Sequence, residues 1–372
     1  MKKRASFFWL LILLLTSCAP SFQADQQGRV VDRGTGIGGT GIGGTGILAG
    51  TEGKSLGLIG RITGFGSIFV NGVEVEYDQA TKVSLAGAPA GVGDLALGQV
   101  VEVLARNEQG RVTGSDIRIR YEVAGPVGAI DEKSGTIKVL GQSVVIGTGT
   151  IRGKGAAGLP GPGTLVRVSG FRAGNGLIFA SRLEMGKKGD PALLVGRVDS
   201  ITGGRAVVAG VPVKLGNRPA GTPRPGDIIR ISGRLRGKTL VAGNWRIDPR
   251  VPFNGRADRF IIEAVPVLVR NGGQVYLAGM PFQVADPDKI AAANTAQTGR
   301  LVRLVGTFNR HGVFQAGRVF MAPAPVPTLR SQPPDIRPGI RPLPAPMMPR
   351  PGGRQPPAMP RFPAGRHFPG RF

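Results

Sequence analysis

The chain has 372 residues, among them 61 glycines and 31 prolines, and only 6% are aromatic. That balance disfavours one large enzyme-like core and favours short strands, many turns and extended segments. A formal charge of +25 points to anionic partners, and a single cysteine excludes any internal disulfide, so folded parts must hold on their cores alone.

The N-terminus reads as an export signal. Lys2, Lys3 and Arg4 are followed by an apolar run from Phe7 to Leu15 and then by Thr16, Ser17 and Cys18. A bilayer span takes about 20 apolar residues, so this run fits the core of a secretory signal peptide instead. Leu15-Thr16-Ser17-Cys18 resembles the bacterial lipobox, in which small residues admit the peptidase and the thiol takes the diacylglycerol. The plainer alternative is an ordinary signal peptide with a chance cysteine. Because Cys18 is the only cysteine and stands where a lipobox needs it, cleavage between Ser17 and Cys18 and lipid attachment on Cys18 are expected. Ala19, rather than an aspartate, follows it. By the Gram-negative sorting rule that resembles onward export to the outer membrane, facing the periplasm or the cell surface.

Residues 18–56 form a glycine-rich tether containing the repeat Gly36-Ile-Gly-Gly-Thr, Gly41-Ile-Gly-Gly-Thr. Gly36, Gly38 and Gly41 match the spacing of a dinucleotide fingerprint. However, no strand precedes them and no helix-forming stretch comes after, and a flexible spacer explains the segment better. No cofactor is expected.

Internal repetition dominates the chain from residue 57 to residue 321. A segment of glycine, any residue, two aliphatics, a charge and an aliphatic recurs at Gly98–Ala105, Gly163–Gly170, Gly226–Gly233 and Gly299–Gly306. Before the copies stand Gly60-Arg-Ile62, Gly125-Pro-Val127, Gly196-Arg-Val198 and Gly255-Arg-Ala257. After them come apolar stretches beginning at Gly110, Gly176, Gly237 and Gly312. Four modules result, at residues 57–122, 123–187, 193–250 and 253–321. Each reads as about five short strands. In the first, Val73, Val75 and Tyr77 alternate with Glu74, Glu76 and Asp78, and Asn71-Gly72 marks a tight hairpin, echoed at Leu140-Gly141, Ala209-Gly210 and Ala278-Gly279. Asp288–Thr298 is alanine-rich and could form a short helix or turn. Modules of this size close most economically into small barrels, which removes exposed sheet edges. The expected fold is all-β: four tandem five-stranded barrels of oligonucleotide/oligosaccharide-binding type (OB-like), with a small sandwich as the competing form.

Residues 322–372 carry eight arginines against one acid, Asp335, among frequent prolines. This tail should be extended and disordered.

The segments Gly60-Arg-Ile-Thr-Gly-Phe-Gly-Ser-Ile-Phe-Val-Asn-Gly72 and Leu97-Gly-Gln-Val-Val-Glu-Val103, with the Gly-Ile-Gly-Gly-Thr-Gly lead-in, resemble the domain-of-unknown-function 5666 family of exported bacterial proteins. The resemblance spans residues 34–321, strongest in the first copy. It implies repeated β-barrels and an envelope location, and brings no catalytic residues.

Chemistry-bearing clusters are scarce. His311 and His367 are the only histidines, which leaves no histidine-based metal site or catalytic triad to assemble. Glu74, Glu76 and Asp78 are read as the solvated face of a strand rather than a carboxylate site. Arg61, Arg197 and Arg256, and again Arg167, Arg230 and Arg303, recur at like positions; they either line a basic stripe along a tandem array or simply face solvent. With Arg337, Arg341, Arg350, Arg354, Arg361, Arg366 and Arg371 of the tail, the first set forms the candidate anion-binding group. The expected partners are a membrane through the lipid on Cys18, acidic glycans or lipopolysaccharide, and envelope proteins. Nucleic acid is a poor partner for an exported chain. The leading expectation is a non-enzymatic envelope lipoprotein whose modules act as a spacer or binding array; a structural assembly or adhesion component is the alternative, and a glycan-acting enzyme comes third.

Overall fold

The computed structural model describes residues 46–216, 221–265 and 301–322, with strand backbone at 267–268, 274–277 and 280–284. Ser17, Cys18, the start of the tether, Asp288–Thr298 and the tail from residue 323 lie outside the described residues.

The first module contains β1 (Ser55–Gly64), β2 (Ile68–Val70), β3 (Val73–Val75), β4 (Lys82–Leu85), β5 (Ala88–Ala90), β6 (Val100–Glu108) and β7 (Arg111–Arg120). β1 pairs antiparallel with β2, β2 with β3, β6 with β7, and β6 with β1. A parallel bridge from Glu76 to Thr113 joins the end of β3 to β7 and closes the ring. The order is thus β1-β2-β3-β7-β6, a five-stranded barrel of OB-like connectivity, with the β4–β5 hairpin added along β7. Alternation places Val73 and Val75 inside and Glu74 outside, and Leu56, Leu58, Ile62, Ile68, Val70, Val103 and Ile117 fill the barrel.

The later modules repeat this ring. The second has β8 (Val123–Asp131), β9 (Thr136–Val139), β10 (Gln142–Val145), β11 (Ile151–Arg152), β12 (Leu165–Arg172) and β13 (Ile178–Met185). The third has β14 (Ala192–Thr202), β15 (Arg205–Val208), β16 (Val211–Lys214), β17 (Ile228–Arg236) and β18 (Thr239–Ile247). In the fourth, the role of the long first strand is shared by β19 (Arg259–Ala264) and β20 (Val267–Leu268), with β21 (Gln274–Leu277), β22 (Met280–Val284), β23 (Val302–Phe308) and β24 (Phe314–Met321) after them. In each, the third strand runs parallel to the last: β10 with β13, β16 with β18, β22 with β24.

Two sets of glycines explain why the repeat is written as it is. Asn71, Leu140 and Ala209 take the left-handed conformation (φ 56°, 48° and 47°) as first residues of the hairpin turns. Each turn folds back onto a first-strand glycine: an added Cβ on Gly60 would lie 1.9 Å from Asn71 Oδ1, on Gly125 2.8 Å from Leu140, and on Gly196 2.8 Å from Ala209. The second set sits at a bulge between the fourth and fifth strands. A Cβ on Gly170, Gly233 or Gly306 would meet a carbonyl oxygen across the strand pair at 2.4, 2.1 or 2.0 Å. In the first barrel Ala105 holds this position, and its partner is Gly114. The glycine has changed sides of the same small-residue pair.

Register corrects the sequence alignment of the fourth copy. Gly60, Gly125 and Gly196 face Val101, Val166 and Ile229, and the equivalent residue facing Val302 is Ala264. Gly255-Arg256-Ala257 therefore lies outside the repeat, in the turn that precedes β19. Glycine spacing suggested it because glycine is common in turns for reasons unrelated to the repeat.

The barrels do not pair in chain order. β1 runs parallel to β19, from Leu56 opposite Arg259 to Ile59 opposite Ile262, joining the first barrel to the fourth. β8 pairs antiparallel with β14 through Val123 and Ala124, joining the second to the third. In both cases the half of the first strand left free by its own barrel is used to build the contact, which covers an otherwise exposed edge.

Candidate functional site

The charged position inside each repeat segment holds Glu102, Arg167, Arg230 and Arg303. Alternation directs these side chains out of their own barrels, yet they lie at the contacts between barrels rather than in solvent. Arg230 Nη2 of the third barrel reaches Glu102 Oε1 of the first at 2.6 Å, and its Nε reaches Asp248 Oδ1 at 2.6 Å. Glu102 also accepts from Arg120 at 3.0 Å; Arg120 reaches Glu122 at 3.2 Å, and Arg172 of the second barrel lies 3.6 Å from Glu122. Arg172, Glu122, Arg120, Glu102, Arg230 and Asp248 thus alternate in sign across three barrels. Burial pushes the Glu102 carboxyl up, but the guanidiniums of Arg230, Arg120 and Arg118 outweigh it and hold it below the usual carboxylate range.

A second buried group joins the first barrel to the fourth. Arg61 and Glu263 are 6% and 2% exposed, and they meet in a two-pronged pair with Nε and Nη2 each 3.0 Å from a carboxylate oxygen. The Arg61 backbone N–H donates to the same carboxylate at 3.1 Å. Arg303 faces Glu263 across β19 and β23, and burial lowers its pKa. Beside them the Asn71 amide, itself 1% exposed, donates to the carbonyls of Ile59 and Ile261, one on each barrel.

The first and second barrels are joined by Tyr121, whose hydroxyl donates to Glu184 Oε2 at 2.5 Å, and by Ser181 and Arg182, which donate to the carbonyls of Gly98 and Leu97. Burial, with Glu184 beside it, raises the Tyr121 pKa well above that of an ordinary phenol. A pocket of about 220 Å³ opens between the first and third barrels, lined by Tyr121, Leu194, Asn244, Trp245 and Arg246 among others. It is smaller than the ~300–1,000 Å³ of usual ligand sites, and Arg230 in its wall is already held by two carboxylates.

The candidate arginines therefore separate. Arg61 is taken up by Glu263 and is closed to an outside anion. Arg256 is exposed, outside the strand register, and lies 3.4 Å from Asp116. Arg197 is exposed beside Gly226. These three form no common stripe, because the barrels pair first with fourth and second with third instead of stacking in line. Arg337, Arg341, Arg350, Arg354, Arg361, Arg366 and Arg371 lie outside the described residues. The acidic row of the first module is spoken for: Glu74 accepts from Ser67, Glu76 pairs with Arg111, and Asp78 accepts from Ala80 and Thr81. His311 stands in an exposed turn beside Arg310.

Residues 57–118 and 124–184, the first and second barrels, each match the model of a domain of unknown function, DUF5666. The two matches lie one after the other along the chain. Among curated proteins none matches the chain. The DUF5666 matches carry no activity with them.

Proposed function

We propose that the chain is a non-enzymatic envelope lipoprotein, held to a membrane by the lipid on Cys18, that binds anionic polymers of the envelope. The observation that carries this reading is the division of its cations. Arg61 and Arg230 are neutralised by carboxylates at barrel contacts, so the fold consumes them. The segment after residue 321 adds eight arginines against one acid, positive charge beyond what these carboxylates take up. Such a surplus attracts acidic glycans or lipopolysaccharide with an affinity that weakens as salt screens it.

The test is a salt series with the full-length protein, lipopolysaccharide and polygalacturonate. Binding at low salt that falls as salt rises, and that is weaker for a chain ending at residue 321, supports the reading. No binding to either polymer at low salt overturns it. An assembly role would instead give specific protein adducts through residues 57–321 on crosslinking in intact cells.

A further inference from the structure

We infer that the outer face of the third barrel, around Arg205, Lys214, Arg234 and Arg236, is a docking surface for an acidic polysaccharide. The inference rests on the anionic-polymer reading above and names where on the folded body such a polymer would lie.

Residues 193–250 hold eleven lysines and arginines against three acids, whereas residues 57–122 hold six against eight. The excess is concentrated by register. Arg205 on β15 stands directly opposite Lys214 on β16, Lys214 is opposite Val241 on β18, and Val241 is opposite Arg234 on β17. These residues form one row across four adjacent strands, about 14 Å long at ordinary strand spacing. Arg205, Lys214 and Arg234 are exposed, as are Arg236 and Lys238 at the neighbouring hairpin end. No ion pair forms at any of the five among the described residues.

The first barrel supplies the control. By the same register its residues at these positions are Ser67, Glu76, Arg106 and Glu108. There the charges cancel: Glu76 pairs with Arg111 at 2.5 Å and Arg106 with Glu108 at 2.7 Å. The third barrel has Lys214 in place of the first acid and Arg236 in place of the second. The fold therefore does not require cations here, and like charges directly opposite on paired strands are unfavourable without a counter-charge. A bound anion supplies one.

The class of partner follows from what accompanies the charge. The positions between the cations are Val207, Pro212, Thr239 and Val241, and no aromatic ring stands among them to stack a base or a neutral sugar. Met321 is the one exposed large apolar residue among the described residues, and it is on the fourth barrel, so this face has nothing to insert into a bilayer. A row of cations across strands fits an extended chain bearing repeated carboxylates.

The experiment compares three full-length proteins for binding to polygalacturonate: wild type, K214E/R236E, and K133E/K138E, which carries the same charge change on the second barrel. All four positions are exposed, so the variants retain the fold, and a circular-dichroism melt checks this. The expected result is a loss of about tenfold or more in low-salt affinity and a shallower salt dependence for K214E/R236E, with about twofold or less for the control. Equal losses in both variants overturn the inference in favour of net charge alone. Unchanged binding in K214E/R236E overturns it while leaving the tail as the binding element. Absence of polygalacturonate binding by wild type overturns this inference, and absence of lipopolysaccharide binding as well overturns the wider reading. Vesicles containing phosphatidylglycerol form the last arm: a variant that loses vesicle binding but keeps polygalacturonate binding would also overturn it.

Discussion

Arg230 Nη2 of the third barrel lies 2.6 Å from Glu102 Oε1 of the first, so the same position of the repeat, filled by opposite charges in two copies, joins two barrels that are not neighbours in sequence. This relationship sets what the arginines of the folded body are for, and what the loss of their partners should cost.

Replacing Glu102 by glutamine leaves Arg230 and Arg120 without a shared anion in a largely buried site. Because Asp248 still pairs with Arg230 and Glu122 with Arg120, neither cation is stranded, and the cost should be about 1.5–3 kcal/mol, that of lost hydrogen bonds between charged groups. The pH dependence comes from the lowered Glu102 pKa. Its contribution is fully present above the ordinary value of 4.5 and is lost as pH falls through the lower folded-state value. Denaturant midpoints taken at decreasing pH should therefore drop for wild type and drop less steeply for Glu102→Gln.

The Arg61–Glu263 pair makes a different demand, because it is enclosed on both sides. Glu263→Ala strands a buried guanidinium and should destabilise the contact of the first and fourth barrels by about 3–5 kcal/mol. Converting Arg61, Glu263 and the neighbouring Arg303 together to methionine removes all three buried charges and should recover most of that loss. Hydrogen exchange of the β1 and β19 amides reads this contact directly; equal exchange in both variants would contradict it.

Gly233→Ala drives a Cβ into the Val241 carbonyl oxygen, 2.1 Å away, and neither backbone atom can swing aside. A cost of about 1–3 kcal/mol is expected from overpacking. Ala105→Gly in the first barrel, where Gly114 already provides the space, should cost no more than about 1 kcal/mol through backbone entropy. Thermal melts of the two variants distinguish these outcomes.

Cys18→Ala tests the anchor. Without the thiol no thioether to diacylglycerol can form, so the protein should leave the membrane fraction and lose the mass of the lipid from its N-terminus. A variant that stays membrane-bound with an unchanged N-terminal peptide mass would contradict lipid attachment at that residue.

Much of the fold was legible because its signals are local. Asn71-Gly72 announces a hairpin, Val73 and Val75 alternate with polar residues, and the spaced glycines mark where one strand crosses close to another. The barrel contacts were not legible. Arg61, Arg230 and Arg303 sit at alternating polar positions, and alternation says only that a side chain leaves its own barrel. Whether it then meets water or another barrel depends on how modules pair, and a repeat pattern holds no information on that. The reversal of sign at Glu102 was the one usable clue, since it is the only acid in a position otherwise held by arginine. The fourth copy misled because a turn glycine at Gly255 imitated a strand glycine, while the true equivalent had become Ala264.

The division of cations into those the fold consumes and those it leaves for a partner is tested most directly by mapping arginine modification with phenylglyoxal on the native protein, with and without polygalacturonate. Arg205, Arg234 and Arg236 should react quickly and be protected by the polymer, while Arg61, Arg230 and Arg303 should react only after unfolding. Rapid native-state reaction of Arg61 and Arg230, or no protection of Arg205, Arg234 and Arg236 by bound polymer, would contradict the account.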